Sequence, residues 1–345
     1  MNIKPINLTL IYITLIVVSF LLFGLDLFLG SVKIPFSEVI SILFTGNSQK
    51  ETWNIIVLEA RLPKAIAAIL AGSALAVSGL KMQTLFKNPL AGPYILGISS
   101  GAGLGVAVFI MGLSFLGISQ VTLASGIGNI IASIIGSFMV LSILMLVINR
   151  LKDIMTVLIL GIMIGSVITA IIGIIQYFSN DAQLKSFIMW TMGDLSSVTN
   201  NQIIILLPII FIGLLFSFFM SKSLNSYLLG ENTARSLGIS IKKTRLGIII
   251  ITSILAGSIT AFCGPIGFIG IIVPHFARMI SRSYNHKVLI PMSILLGINI
   301  LLLADIISQL PGMNQSLPIN SITSLIGIPF IIWIIIKNKT IVNLN

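Results

Sequence analysis

Between Asn88 and Asn149 the chain carries not one Asp, Glu, Lys, Arg or His. A water-soluble domain has to expose polar faces along a stretch of that length. A bilayer instead asks for about 20 mainly apolar residues per crossing helix and gives an unpaired backbone group no water to bond with. The run is therefore read as two membrane spans with a turn near Gly112 to Gln120. The composition agrees, with 56% hydrophobic residues against roughly 45–50% in ordinary soluble domains.

The same criterion divides the rest of the chain. Leu8 to Leu25 is one span, extended as a retained helix to Leu29, since no small-x-small cleavage site follows it. Ala65 to Leu80 is another, reaching Leu85 if Lys81 snorkels to the interface. Ile154 to Asn180 and Leu195 to Phe219 follow. Leu246 to Ala277 is interrupted at Cys263-Gly-Pro265, read as a break between two helices, and Val288 to Ala304 and Ile319 to Ile336 complete the set. The expected fold is an all-α polytopic membrane protein of about ten transmembrane helices, with both termini on one side.

The basic residues say which side, because Lys and Arg concentrate in cytoplasmic loops. With the termini inside, fifteen of the 20 are cytoplasmic, leaving Lys33, Lys50, Arg61, Lys64 and Lys185 outside. The net charge of +11 is then a topogenic signal and an attraction to anionic membrane lipid, with no nucleic-acid partner implied. Outside, Gly30 to Arg61 is expected to hold a short amphipathic helix with Trp53 at the headgroup level, and Ser179 to Asn201 forms a second outer segment. Inside, most connections are short. The exception is Lys222 to Arg245, long enough for two helical turns on each side of a bend.

Absences narrow the chemistry. No Gly-x-x-x-x-Gly-Lys-Ser/Thr phosphate loop occurs, so ATP would have to be bound by another subunit. Span interiors offer few ionisable groups for a proton relay; Asp305 lies near an outer end, and His275, beside Pro274, reads as a histidine packed near a helix start. The 13 methionines are scattered as gap-filling core, not gathered as a copper path. Cys263 has no partner within the chain and reads as a small buried residue. No catalytic residue, metal site or cofactor is expected.

Two features remain. Gly97, Gly101 and Gly105 recur every fourth residue and, like Gly161 and Gly165, form a ridge on which a second helix can pack closely; Ser99 and Ser100 beside it are open to lining a polar path. Leu228 to Gly238, with Lys222, Arg235, Lys242, Lys243 and Arg245 around it, is a polar island in a chain with 8% charged residues. Glu231 and Arg235, at i,i+4, are placed to pair on a short helix that Gly238 ends. An ordinary solvated loop and a docking knob for a cytoplasmic partner both fit that pattern.

Several motifs, in order and spacing, resemble the permease subunits of ABC importers for iron-siderophore, haem and cobalamin. They are Arg61-Leu-Pro-Lys64, Ser78-Gly-Leu-Lys-Met-Gln83, Asn88-Pro-Leu-Ala91, Leu96-Gly-Ile-Ser-Ser-Gly-Ala102, Leu229-Gly-Glu-Asn-Thr-Ala-Arg-Ser-Leu-Gly238, Gly264-Pro-Ile-Gly-Phe-Ile-Gly270, Val273-Pro-His-Phe-Ala-Arg278 and Leu325-Ile-Gly-Ile-Pro-Phe330.

The resemblance implies one transmembrane permease domain over residues 1–345, with a cytoplasmic coupling segment at 222–245. It implies a second permease subunit, as homodimer or paired heterodimer, two cytoplasmic ATPase subunits and an extracytoplasmic substrate-binding protein, in the cytoplasmic (inner) membrane of a bacterium. Leu228, Gly230, Glu231, Arg235, Leu237 and Gly238 would carry ATPase docking, and Arg61 and Lys64 docking of the binding protein, where Lys64 lacks the two-pronged geometry of Arg. Ser99, Ser100, Ser166 and Thr169 are path candidates. Relatives place an inner gate in the Asn149 to Thr156 connection, where this chain has Ile154 and Met155, so gate residues do not carry over. An ion-coupled secondary transporter is the alternative, disfavoured by the sparse intramembrane charge and the cytoplasmic island.

Overall fold

The computed structural model describes residues 7–46, 48–112, 126–148, 154–309 and 316–337, and among them all regular structure is helical. The first long helix, α1 (Leu8–Phe28), starts at Asn7, whose side chain accepts from the Leu10 backbone N–H. Next come α2 (Phe36–Thr45) and α3 (Glu51–Ile55), the latter continuing through a π-helical stretch, Ile56–Arg61, into α4 (Leu62–Phe86). Then follow α5 (Ile98–Ala107), α6 (Gly126–Ile148), α7 (Ile154–Tyr177), α8 (Asp181–Thr191) and α9 (Asn200–Phe219). The remainder is α10 (Ser221–Leu228), α11 (Glu231–Ser236), α12 (Ile241–Cys263), α13 (Ile269–Ser281), α14 (His286–Ser308) and α15 (Ile319–Lys337).

Each expected span meets a helix. Among the described residues seven helical stretches are long and apolar enough to cross a membrane: Leu8–Phe28, Glu51–Phe86, Ile127–Val147, Ile154–Tyr177, Asn200–Phe219, Ile241–Cys263 and His286–Ser308. Ile98–Gly112, Ile269–Ser281 and Ile319–Ile334 are shorter apolar helices. The turn expected between the third and fourth spans lies mostly outside the described residues, as do residues 149–153 of the gate connection. Within Gly30 to Arg61 the amphipathic helix is α2, which buries Val39 and Ile42, while Trp53 lies in α3. The second outer segment, read without regular structure, contains α8, opened by a capping box in which Asn180 and Gln183 bond each other's backbone N–H.

The architecture is built around α4. Nearly every side chain from Ala65 to Phe86 is buried, because α9, α12, α13 and α14 surround it. Small residues permit the approach: a Cβ on Gly72 would overlap the Gly297 carbonyl of α14, and one on Gly79 the Gly270 carbonyl of α13. Gly101 and Gly105 of α5 meet Gly136 and Ala132 of α6, whereas Gly97 lies before the helix, with φ 75°, and faces the Gly161 carbonyl. By contrast α7, α9 and α15 leave long apolar faces exposed, among them Ile162, Val167, Phe211 and Leu325, which suits lipid or a second subunit.

The break between α12 and α13 keeps its backbone groups satisfied, as non-helical chain at membrane depth requires. The Asp194 N–H donates to the Cys263 carbonyl at 2.8 Å, the Gly267 N–H to Asn320 Oδ1 at 3.0 Å, and the Ile266 N–H to the Tyr94 hydroxyl at 3.3 Å.

Candidate functional site

The polar island folds as two short helices joined by a bend. α10 buries Leu224 and Tyr227 and α11 buries Ala234, so one side of the segment is anchored in the core. Gly230 turns the chain at φ 107°. Gly238 stops α11 in a Schellman arrangement: at φ 77° its N–H donates to the Arg235 carbonyl at 2.9 Å, and that of Ile239 to the Ala234 carbonyl at 3.0 Å. The Ser240 side chain then accepts from the Lys243 N–H and opens α12.

The charges sort by side. Glu231 sits 4.0 Å from Arg235, as the i,i+4 spacing allows, but its close partner is Arg245, reaching back from α12 to Oε1. Tyr227 donates to the same carboxylate at 3.2 Å. Burial holds the Tyr227 phenol above its ordinary pKa, so at neutral pH it stays a donor. Arg245 is thus turned inward, while Lys222, Arg235, Lys242 and Lys243 face out. Beside them Leu228, Leu229 and Leu237 are exposed, Leu237 by 58%. An apolar and basic face therefore rests on a hydrogen-bonded anchor of Tyr227, Glu231 and Arg245.

The other end of the molecule holds Arg61 and Lys64. Arg61 is buried, and its guanidinium donates to the Leu27 and Phe28 carbonyls at 2.9 and 3.0 Å, capping the last turn of α1. Lys64 pairs with Asp305 of α14 at 2.9 Å. Asp26 joins them through the Gln309 amide, which donates to Asp26 and Asp305 at 3.1 Å each. Both cations expected to meet a binding protein therefore spend their charge internally here, and the outward-facing cations on this side are Lys33, Lys50 and Lys185. A cavity of about 300 Å3 opens beside the Lys64–Asp305 pair, lined also by Trp190, Met192, Asp194 and Cys263.

The path candidates separate. Ser166 and Thr169 lie on the exposed face of α7, each bonding a carbonyl of its own helix. Ser99 and Ser100 are half-buried, Ser100 against Gly165 of α7. His275 packs edge-on against the Phe330 ring.

The model of the FecCD transport family matches residues 15–337. The chain belongs to the FecCD transport family. Among its relatives, the Hemin transport system permease protein HmuU of Yersinia pestis is 34% identical over 303 residues, covering 86% of this chain and 87% of that protein. The Vitamin B12 import system permease protein BtuC of Escherichia coli (strain HS) is 35% identical over 297 residues, 86% of each. A solved structure described as an inward-facing conformation of a putative metal-chelate type ABC transporter superposes with TM-score 0.82 at 25% identity, over 95% of this chain and 99% of that one. As a member of this family of permease subunits the chain performs transport and not bond chemistry.

Sequence reading missed four residues beside the island: Thr84, Asn225, Tyr227 and His286. Thr84, Asn225 and His286 acquire a role only through partners far away in the chain, and Tyr227 joins its neighbour Glu231 to the distant Leu85.

Proposed function

We propose that the chain is the ten-span membrane subunit of a binding-protein-dependent ABC importer, both termini cytoplasmic, that moves a metal chelate across the cytoplasmic membrane of a bacterium. The relatives' names point to haem and cobalamin, both metals held in a large organic ring, and a ferric siderophore is the third candidate of the same class. ATP is hydrolysed by two ATPase subunits that dock on the Leu228–Gly238 knob of each permease in a pair.

The observation that carries this reading is the knob itself: anchored by Tyr227, Glu231 and Arg245, and presenting Leu237 and Arg235 outward. The exposed apolar face of α7, with Ser166 and Thr169 on it, suits a second permease subunit across a weakly polar path, and Ser99 and Ser100 lie where α5 meets that helix. On the outer side, the corner shaped by Arg61 and Lys64 receives the binding protein.

Co-purification with its ATPase subunit tests the docking. Leu237→Asp and Arg235→Glu leave the anchor intact, and each is expected to weaken capture about tenfold or more, the loss typical of truncating an interface anchor. Undiminished capture by both variants would remove the knob from the interface.

A further inference from the structure

The coupling knob is bolted to the centre of the molecule at three points, all on the last turns of α4. At the joint between α9 and α10, Met220 Sδ lies 3.8 Å from the ammonium of Lys81, a fully buried lysine. At the end of α10, the Tyr227 hydroxyl shares its one proton between the Glu231 carboxylate at 3.2 Å and the Leu85 carbonyl of α4 at 3.4 Å. Between them, Asn225 bonds His286, the first residue of α14, and His286 bonds Thr84 of α4.

The middle connection is the most specific. Asn225 Oδ1 accepts the His286 backbone N–H at 2.8 Å and lies 2.8 Å from His286 Nδ1. The Asn225 amide nitrogen donates to Asn285 Oδ1, also at 2.8 Å, which fixes the orientation of the group. Nδ1 therefore carries a proton, and Nε2 lies 2.8 Å from the Thr84 hydroxyl, whose one proton it shares with the Leu80 carbonyl at 2.9 Å. His286 is 1% exposed and Thr84 4%, so an orphaned partner would find no water.

The helices meeting there, α4 and α14, run antiparallel and touch backbone to backbone where Gly72 faces Gly297. At the opposite end the same two helices are joined again, by Lys64 and Asp305. A pair of helices fastened at both ends and in contact between moves as one body.

We infer that α4 and α14 form a strut that carries movement between the ATPase-docking knob and the outer corner, with His286 as the positioning residue that fastens the knob to it. The inference rests on the transport reading above. It makes communication between the two faces depend on Thr84, which touches neither partner.

The test uses the full transporter in lipid, with its ATPase and substrate-loaded binding protein. Thr84→Val keeps the shape of the side chain and removes its hydroxyl; Thr84→Ser keeps the hydroxyl. Val is expected to co-purify with the ATPase and hydrolyse ATP at the basal rate, while stimulation by the loaded binding protein, and transport per ATP, fall about tenfold, within the usual 5–150-fold range of coupling between sites. Ser is expected to retain both. If Thr84→Val does not assemble, His286→Gln decides, since it keeps the backbone bond to Asn225 but removes the ring that joins Asn225 Oδ1 to Thr84, and the same tenfold loss is expected. Wild-type stimulation in whichever variant assembles overturns the strut, and failure of both to assemble overturns it too, by making the joint a requirement of folding. A parent complex that shows no stimulation at all counts against the transport reading and is distinguished by that control.

Discussion

Replacing Lys64 with methionine tests how much of the outer corner depends on buried charge. The ammonium lies 2.9 Å from Asp305, with side chains 11% and 1% exposed, and Asp26 is 2% exposed on the far side of Gln309. At that distance the gross attraction is about 6 kcal/mol for an effective dielectric of about 20. Much of it offsets desolvation, and removing one partner of a buried pair costs about 3–5 kcal/mol because the other charge is left behind. In a chain of this size that corresponds to a melting temperature lower by about 6–10 °C, taking about 2 °C per kcal/mol. The assay is a thermal ramp of the detergent-solubilised protein, read as the fraction that stays monodisperse. Lys64→Arg should lose little, and Asp305→Asn placed in the Lys64→Met background should recover at least half, since it takes away the orphaned charge. A Lys64→Met melting point indistinguishable from the parent would refute the reasoning, because it would mean that the corner is wet and the pair contributes nothing.

Other outcomes follow from the same contacts. Gly79→Val should abolish recovery of monodisperse protein, since backbone on both α4 and α13 would have to separate, whereas Gly173→Ala, which meets nothing within 4 Å, should be neutral in the same assay. Arg245→Met should loosen the knob and expose α11 to limited proteolysis, while Arg235→Ala should not, because Arg235 is 66% exposed and 4.0 Å from Glu231; equal protease sensitivity in the two variants would contradict the assignment of Arg245 as anchor. Tyr227→Phe should lower thermal stability by about 1 kcal/mol, the worth of a net hydrogen bond, and a loss of several times that would mean that the ring itself has been displaced.

The spans were legible because a bilayer punishes charge, so the uncharged runs outline the helices directly. Where the reading stopped short, a buried cation was the reason. Ala65 to Leu80 was extended to Leu85 only if Lys81 snorkelled to the interface, yet α4 runs from Leu62 to Phe86 with Asp305 receiving Lys64 and Lys81 lying fully buried against Met220. Arg61 and Lys64 were placed on the outer side by the distribution of basic residues, and local spacing says nothing of their partners, the Leu27 and Phe28 carbonyls and Asp305. The bend of the coupling segment was legible from Gly230 and Gly238. Its anchor was not, since i,i+4 spacing points to Arg235 and gives no hint of an arginine 14 positions on. The His286 joint is still further beyond local pattern: its partners stand 61 and 202 positions away. Helix α8 was missed because Asp181 and Lys185 break the apolar run, although Asn180 with Gln183 three residues later is a capping signal that a closer reading of caps would have used.

The central claim is that this chain is a passage opened by ATP hydrolysis in a partner. The most direct measurement is uptake of radiolabelled haem, cobalamin and ferric siderophore into liposomes holding the permease with its ATPase, ATP being inside or outside and the binding protein on the opposite face. The account predicts that one of the three accumulates only when ATP and binding protein are both present, and that an ion gradient alone moves none. Accumulation driven by a proton or sodium gradient without ATP would contradict it.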